Sequence, residues 1–404
     1  MIIVKKFGGT SVGDTKKIAA VAAKVAEAHH KGEDIIVVVS AMSGETNRLL
    51  SLARDFNESK GAAVDVLLAT GEQVTVALLC MALKNLNVPS VPCLGWQIPV
   101  ETDSSFGKAR INRIPTNGLK KILTDKKVVV AAGFQGVNEQ GAITTLGRGG
   151  SDTSAVALAA AIEADECQIF TDVDGVYTTD PRLVPEARKL NNITYEEMLE
   201  MASLGAKVLQ IRAVEFASKY NVKLRVLSSF QKGEGTSISK EVSEMEKAII
   251  SGVALNKNEA QIKVIGVTDR PGIASDILGP VADQNIEVDM IVQNLGEEGI
   301  TDFTFTVSRD DFQQTKKILE PLLTELGATR IDGDTKIVKL SIVGVGMRSH
   351  SGIASKMFRT LAEENINIKM ISTSEIKISV VIDEKYSELG VRCLHSAFEL
   401  ETGQ

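Results

Sequence analysis

The sequence predicts an α/β protein: an open, mostly parallel sheet sandwiched by helices, followed by two copies of a small α+β module. Three observations carry this. Short β-branched runs alternate with helix-period segments over the first 230 residues, which is the pattern of βαβ units and a parallel sheet. A polar, charged stretch then interrupts the alternation. Beyond it the chain repeats itself: Gly272-Ile273-Ala274-Ser275 recurs as Gly352-Ile353-Ala354-Ser355, and Ala282, Asn285, Ile286, Met290 and Ile291 recur as Ala362, Asn365, Ile366, Met370 and Ile371, all at an offset of 80. One offset kept across separate blocks marks a duplicated unit.

In chain order, the first strand covers Ile2 to Val4, with later ones at Ile35 to Val39, Val128 to Ala132, Cys167 to Thr171 and Val222 to Leu227. The helix predicted over Asp14 to His30 places Ile18, Val21, Ala22, Val25 and Ala28 on one face, opposite lysines and Glu27, and Gly32 ends it. Gln231 to Lys247 is polar, Gly/Ser-containing and highly charged, so a first domain is expected over 1–230, a linker over 231–247 and a second region over 248–404. The two repeats fall at about 262–334 and 337–404. Each reads as a strand (Ile262 to Val267; Val338 to Val343), a Gly turn, a helix, a strand after Asn-Ile, and another strand (Asp302 to Val307; Lys377 to Ile382).

At 404 residues the chain is too long for one ordinary core, which suggests two or three domains. Its 44% hydrophobic and 24% charged residues are ordinary globular composition. Net charge is −7 with Lys and Arg scattered, so the electrostatic footprint for nucleic acid or an anionic membrane is missing and small molecules are the expected partners. Cys80, Cys93, Cys167 and Cys393 lie far apart without metal-ligand spacing and read as buried thiols. No signal-peptide pattern opens the chain and no apolar run of about 18 residues is evident, so a cytoplasmic, reduced protein is expected.

The first strand runs into Lys6-Phe7-Gly8-Gly9-Thr10-Ser11. Paired glycines let backbone N–H groups approach a phosphate, and the following helix N-terminus and Lys6 add positive charge; a plain structural turn is the competing reading. A second junction is Leu146-Gly147-Arg148-Gly149-Gly150-Ser151-Asp152-Thr153-Ser154, leading into an Ala-rich helix. Ser151 and Asp152 read as natural caps. Capping leaves Arg148 unexplained, and a guanidinium between glycines suits a two-point grip on a carboxylate. Thr171 to Arg182 is turn-rich at a strand's carboxyl end and fits a nucleotide loop; it lacks the closing Glu of a calcium loop. Lys207 reads as either a phosphate partner or an exposed helix lysine. His29, His30, His350 and His395 lie in no nucleophile setting, and the Gly344-Val345-Gly346 pair lacks the third glycine of a dinucleotide fingerprint. A transferase acting on a carboxylate needs no general base, because that nucleophile is already ionised at neutral pH.

Together these segments, with Val39-Ser40-Ala41-Met42-Ser43-Gly44-Glu45-Thr46-Asn47, Thr70-Gly71-Glu72 and Gly133-Phe134-Gln135-Gly136, resemble the aspartate kinases of the amino acid kinase superfamily over nearly the whole chain. The repeated modules look like paired ACT domains. The resemblance implies an amino acid kinase-like αβα sandwich that moves the γ-phosphoryl of ATP, with Mg2+, to the side-chain carboxylate of L-aspartate, the first step towards lysine, threonine and methionine. It implies that Lys6, Arg148 and Asp152 are catalytic, that Ser40, Thr46, Glu72, Arg148 and Ser151 bind the substrate, and that Glu72 meets its ammonium. Lys6, Gly8, Gly9, Thr10, Thr171, Asp172, Tyr177, Arg182 and Lys207 would contact ATP, with no dedicated metal ligand. Asp269, Gly272, Ile273, Ala274 and Gln293 would bind an effector in the first module, with Ser374 and Glu375 as candidates in the second. The effector is lysine, threonine or both together. A homo-oligomer through the ACT modules is implied, an internal start at Met245 would give a separate regulatory subunit, and the strand 248–255 would complete the second module. Between Gln97 and Arg113 the match is looser. Another amino acid kinase, or a catalytically dead sensor, is the rival reading.

Overall fold

A computed structural model of the chain describes residues 1–204, 208–240, 249–294 and 299–402. Lys207 and Met245 lie outside the described residues. What is described divides into two compact units: residues 1–176, 189–202 and 208–240 form one, and residues 177–188, 203–204 and 249–402 the other.

The first unit opens with β1 (Ile2–Phe7), α1 (Thr15–His30), β2 (Asp34–Val39), α2 (Glu45–Arg54), α3 (Ala62–Asn85) and β3 (Ser90–Cys93). Then come β4 (Glu101–Thr102), β5 (Ile111–Arg113), α4 (Asn117–Thr124), β6 (Val128–Ala132), β7 (Gln135–Val137) and β8 (Ile143–Thr145). It closes with α5 (Gly150–Ile162), β9 (Glu166–Thr171), β10 (Asn192–Thr194), α6 (Tyr195–Ser203), α7 (Ile211–Tyr220), β11 (Leu224–Ser228) and β12 (Thr236–Ser239).

Its main sheet runs β10-β12-β11-β9-β1-β2-β6-β3, and every neighbouring pair is parallel except β11 with β12. β6 is buried at all five positions, as a strand covered on both faces must be. α1 forms as its periodicity predicts. The Asp14 side chain accepts from the Lys17 amide at 2.8 Å, the face carrying Ile18, Val21, Ala22 and Val25 is buried, and Gly32 ends the helix at φ +87°. β1 lies between β2 and β9, where the strand order reverses, and in open α/β sheets ligands bind beyond the strand ends at such a point. A smaller sheet, β5-β4-β7-β8, carries the segment before Arg148.

Two expectations change here. The stretch 231–247 contains β12, a strand of the main sheet, so the polar run is not linker throughout; its Thr236 and Ile238 are fully buried between β10 and β11. α3 is also long and apolar enough, at a mean hydropathy of 1.8, to cross a membrane by length and composition. Its buried Asp65, Glu72 and Thr75 and its packing beside α1 and β6 identify a core helix of the sandwich.

The second unit contains β13 (Gly252–Thr268), α8 (Ile273–Asp283), β14 (Val288–Asn294), β15 (Ile300–Val307), α9 (Phe312–Leu319), β16 (Arg330–Val343), α10 (Ile353–Glu363), β17 (Met370–Thr373), β18 (Lys377–Asp383) and α11 (Ser387–Ala397). The repeat is visible in the backbone. α8 and α10 have equal length at the offset of 80, Gly272 and Gly352 precede them at φ +93° and +89°, and Asn285 and Asn365 follow at φ +57° and +55°. Both copies share one antiparallel sheet, β14-β15-β13-β16-β18-β17. β13 runs longer than predicted because it serves both copies: Gly252–Leu255 pairs with Leu340–Val343, while Ala260–Val264 pairs with Phe303–Val307.

Residues 177–188 also belong to this second unit. Leu183, Val184 and Ala187 pack with Ile250, Val253, Val338 and Leu394. The Val253 amide donates to the Thr178 carbonyl at 2.7 Å, and the buried Thr178 hydroxyl lies 2.9 Å from His395 Nε2.

Candidate active site

Five parallel strands of the main sheet end in register. Phe7 pairs with Val39 and Phe170, Val39 with Ala132, and Phe170 with Leu227. The segments beyond those ends, Gly8–Thr10, Ser40–Ala41, Gly133 and Thr171–Asp172, therefore lie side by side along one edge of the first unit.

β1 delivers Lys6 to this edge. Lys6 is 8% exposed and its ammonium is 2.6 Å from the carboxylate of Asp152, which is equally buried in the first turn of α5. Gly8 and Gly9 then turn away: a Cβ on Gly8 would meet Lys6 Nζ at 3.2 Å, and one on Gly9 would meet the Ala41 carbonyl at 2.9 Å. Only hydrogen fits at Gly9, and Thr10 after it is exposed at the turn. The turn is tied by the Gly8 amide to the Phe170 carbonyl at 3.3 Å and by the Ser11 amide to the Gly8 carbonyl at 2.9 Å.

α3 contributes Glu72, 3% exposed. Its Oε1 accepts from the Ala41 amide at 2.9 Å, and its Oε2 is buried with no hydrogen-bond partner among the described residues. Burial pushes its pKa up to about 7 against the lowering effect of the Ala41 amide. Ser40 at the end of β2 is half-buried, its amide on the Phe7 carbonyl at 3.1 Å, and Thr46 sits half-buried in the first turn of α2.

Arg148 stands exposed between Gly147 and Gly149, both in the left-handed region at φ +79° and +71°, and it makes no ion pair among the described residues. The N-cap of α5 is Gly149, not Ser151 or Asp152 as expected; those two are buried inside the first turn. Asp152 there lies at the positive end of the helix dipole as well as beside Lys6.

The residues expected to contact the nucleotide divide. Thr171 and Asp172 end β9 in the first unit, with the Thr171 hydroxyl 3.1 Å from Asp172. Tyr177 and Arg182 fall in the second, where Arg182 holds Asp180 through Nε and Nη2 at 2.7 to 3.2 Å and lowers that carboxyl. In the repeats, Asp269, Gly272 and Gln293 are exposed near the α8 start and on β14, Ile273 is buried and Ala274 half-buried. Ser374 is exposed, and Glu375 is 3.1 Å from Arg348.

Sequence reasoning missed the side chains that hold this site together. Asp65 on α3, fully buried, accepts from the Thr145 amide, the Thr145 hydroxyl and the Gly107 amide at 2.7, 2.9 and 3.0 Å. Arg212 on α7 donates to the carbonyls of Leu146 and Ala109 at 2.9 and 2.8 Å. Asp65 was open to detection, as it lies seven residues before Glu72 in an otherwise apolar helix, on the same face. Nothing local marks Arg212.

Comparison with known proteins settles the lineage. Residues 1–228 match the amino acid kinase family, and residues 261–324 and 340–398 each match an ACT domain. An aspartate kinase of Pseudomonas putida is 60% identical over 402 residues, covering 99% of this chain and 98% of that protein. The chain belongs to the aspartokinases. An aspartokinase of Helicobacter pylori is 50% identical across 99% of this chain and all of its own length. Among solved aspartokinases, Escherichia coli aspartokinase III in complex with aspartate and ADP, in its R-state, superposes with a TM-score of 0.81 at 26% identity, covering 98% of this chain and 99% of that one. The same enzyme with lysine and aspartate, in its T-state, gives 0.78 at 25% identity, with the same coverage.

Proposed function

We propose that this aspartokinase transfers the γ-phosphoryl of ATP to the side-chain carboxylate of L-aspartate, giving 4-phospho-L-aspartate and ADP, under feedback control by lysine, threonine or both. The observation that carries the substrate assignment is the buried, unpartnered Glu72 Oε2. An unpaired carboxylate oxygen at 3% exposure is costly unless a cation completes it, and the α-ammonium of an amino acid is such a cation. Arg148, uncommitted to any other described side chain, grips a substrate carboxylate in two-point fashion, with Ser40, Thr46 and Ser151 around it.

The acceptor carboxylate is already ionised, so the protein supplies no general base. Lys6 and the amides of Gly9 and Thr10 stabilise charge developing on the transferring phosphoryl group, Gly8 lines the phosphate path, and Asp152 aims Lys6. Thr171, Asp172, Tyr177 and Arg182 hold the nucleotide, with Lys207 assigned there from sequence. No group of three or more His, Cys, Asp or Glu side chains suited to an ion occurs among the described residues. Mg2+ would come with ATP, held chiefly by its phosphates, and would neutralise phosphate charge there.

For assembly we propose a homo-oligomer through the ACT modules. β14 and β17 are the two edges of the six-stranded sheet, and they expose Ile291 and Ile371, partners at the repeat offset. A coupled assay of ADP release against aspartate, glutamate, acetylglutamate and nucleoside monophosphates, with and without lysine and threonine, tests the assignment. ADP release that depends on aspartate alone is expected, and equal turnover with another acceptor would overturn it.

A further inference from the structure

Thr145 and Leu146 lead directly into the turn that bears Arg148, and each of their backbone polar groups is taken. The Thr145 amide donates to Asp65 at 2.7 Å and its carbonyl accepts from the Ala109 amide at 2.9 Å. The Leu146 amide donates to the Phe134 carbonyl at 2.9 Å and its carbonyl accepts from Arg212 at 2.9 Å. β8 is an edge strand, paired only with β7, so its outer side has no ladder to set its position. Two ionic side chains replace that ladder, one from α3 and one from α7.

The same two side chains also hold the loop between β4 and β5. Asp65 accepts from the Gly107 amide and Arg212 donates to the Ala109 carbonyl, and a Cβ on Gly147 would come within 3.0 Å of the Gly107 carbonyl. α7 reaches the far side of the turn as well, because the Gln210 side chain lies against Gly149. Arg148 itself is exposed between two left-handed glycines, so its own segment gives it little definition.

We propose that Asp65 and Arg212 are positioning residues for aspartate: a fork from α7 and a carboxylate from α3 clamp the strand end that presents Arg148, and thereby set the affinity for the substrate carboxylate. This rests on the Arg148 assignment above. Arg212 holds the two carbonyls through two nitrogens of one rigid planar fork, a spacing that the single nitrogen of an ammonium does not reproduce. Nothing in the clamp lies among the residues assigned to ATP.

The test uses the full chain with Arg212→Lys, Arg212→Ala and Asp65→Asn, each also combined with Arg148→Ala, measuring KM for aspartate, KM for ATP, kcat and the melting temperature. Arg212→Lys and Asp65→Asn should raise KM for aspartate about tenfold or more while KM for ATP stays within about twofold. Millimolar guanidinium should restore Arg212→Ala in part. In the Arg148→Ala background the same changes should add little, since the clamp acts through Arg148. If Arg212→Ala does not fold, the lysine and asparagine variants still decide the matter. An unchanged KM for aspartate in folded variants, or loss of kcat and both KM values together, overturns the clamp. A normal KM for aspartate in Arg148→Ala alone overturns the Arg148 assignment instead.

Discussion

Glu72 shows how one side chain ties burial to chemistry. Its carboxyl has a pKa of about 7 in the fold against an ordinary 4.5, so the folded state binds the proton more tightly. The resulting stabilisation is fully present below pH 4.5 and is lost as pH rises through about 7. Substrate ammonium demands the opposite, ionised form. In the unliganded protein, the stability of wild type relative to Glu72→Gln should therefore fall as pH rises from 4.5 to 7, which denaturant melts at several pH values would show. The kcat/KM for aspartate should decline below about pH 7, and Glu72→Gln should flatten that limb at a much lower level. Lys6 combines the two roles differently. Lys6→Met removes the cation proposed to face the phosphoryl group, which should cost about 10²- to 10³-fold in kcat. It also strands Asp152, at a cost of about 3–5 kcal/mol. Adding Asp152→Asn should recover stability without recovering turnover, as read by thermal melts beside single-turnover rates.

At the scale of elements, the junction between β8 and α5 places charge where the main strands end. Gly149 caps α5 in the left-handed region at φ +71°, and a Cβ there would fall 1.8 Å from the Gln210 side chain. Gly149→Ala thus meets both a backbone penalty of about 1 kcal/mol and a clash that must displace α7's entry or the Arg148 turn. The expected result is a melting temperature lower by a few degrees and a KM for aspartate raised about tenfold or more, with KM for ATP little changed. Pairing it with Gln210→Gly, which removes the Cβ at 2.7 Å as well as the nearer side-chain atoms, should restore part of the loss. Equal recovery of both constants by refolding conditions alone would discount this geometry. The repeat was the most legible element in the sequence, because αL glycine and asparagine positions recur with the helices they bound. The strand β12 was the least legible, since one Thr and two Ser around a single Ile resemble a linker until their neighbours are known.

On the scale of the whole molecule, residues 177–188 follow Thr171 and Asp172, which are proposed to hold the nucleotide, yet are built into the core of the second unit. Cutting the chain after residue 240 would leave Leu183, Val184 and Ala187 without Ile250, Val253, Val338 and Leu394. The truncated protein should bind ATP at least tenfold more weakly, instead of behaving as an unregulated kinase; nucleotide titration by calorimetry measures this. Point changes in the proposed effector site should act otherwise. Asp269→Ala and Gln293→Ala leave every residue assigned to ATP and aspartate in place, so basal turnover should hold while the inhibitory concentration of lysine, threonine or their mixture rises about tenfold. Inhibition curves at fixed aspartate decide it, and curves that match wild type would remove these residues from the effector site.

The sequence by itself determined the class of fold and the duplication, and it supplied the residues on which the proposed chemistry rests. These rest on short-range signals: strand and helix periods, glycine pairs at strand ends, and a cation beside each pair. Tertiary structure alone decided which groups complete one another. Lys6 meets Asp152 across 146 positions, because β1 and α5 lie adjacent in the sandwich. Asp65 meets Thr145 across 80, and Arg212 meets Ala109 across 103. The same holds for Glu72, whose raised pKa comes from burial beneath Ala41 and which is an ordinary glutamate in the sequence. Local pattern reports what a segment prefers, whereas desolvation and ion pairing depend on which distant segments the packed sheet brings within a few ångströms.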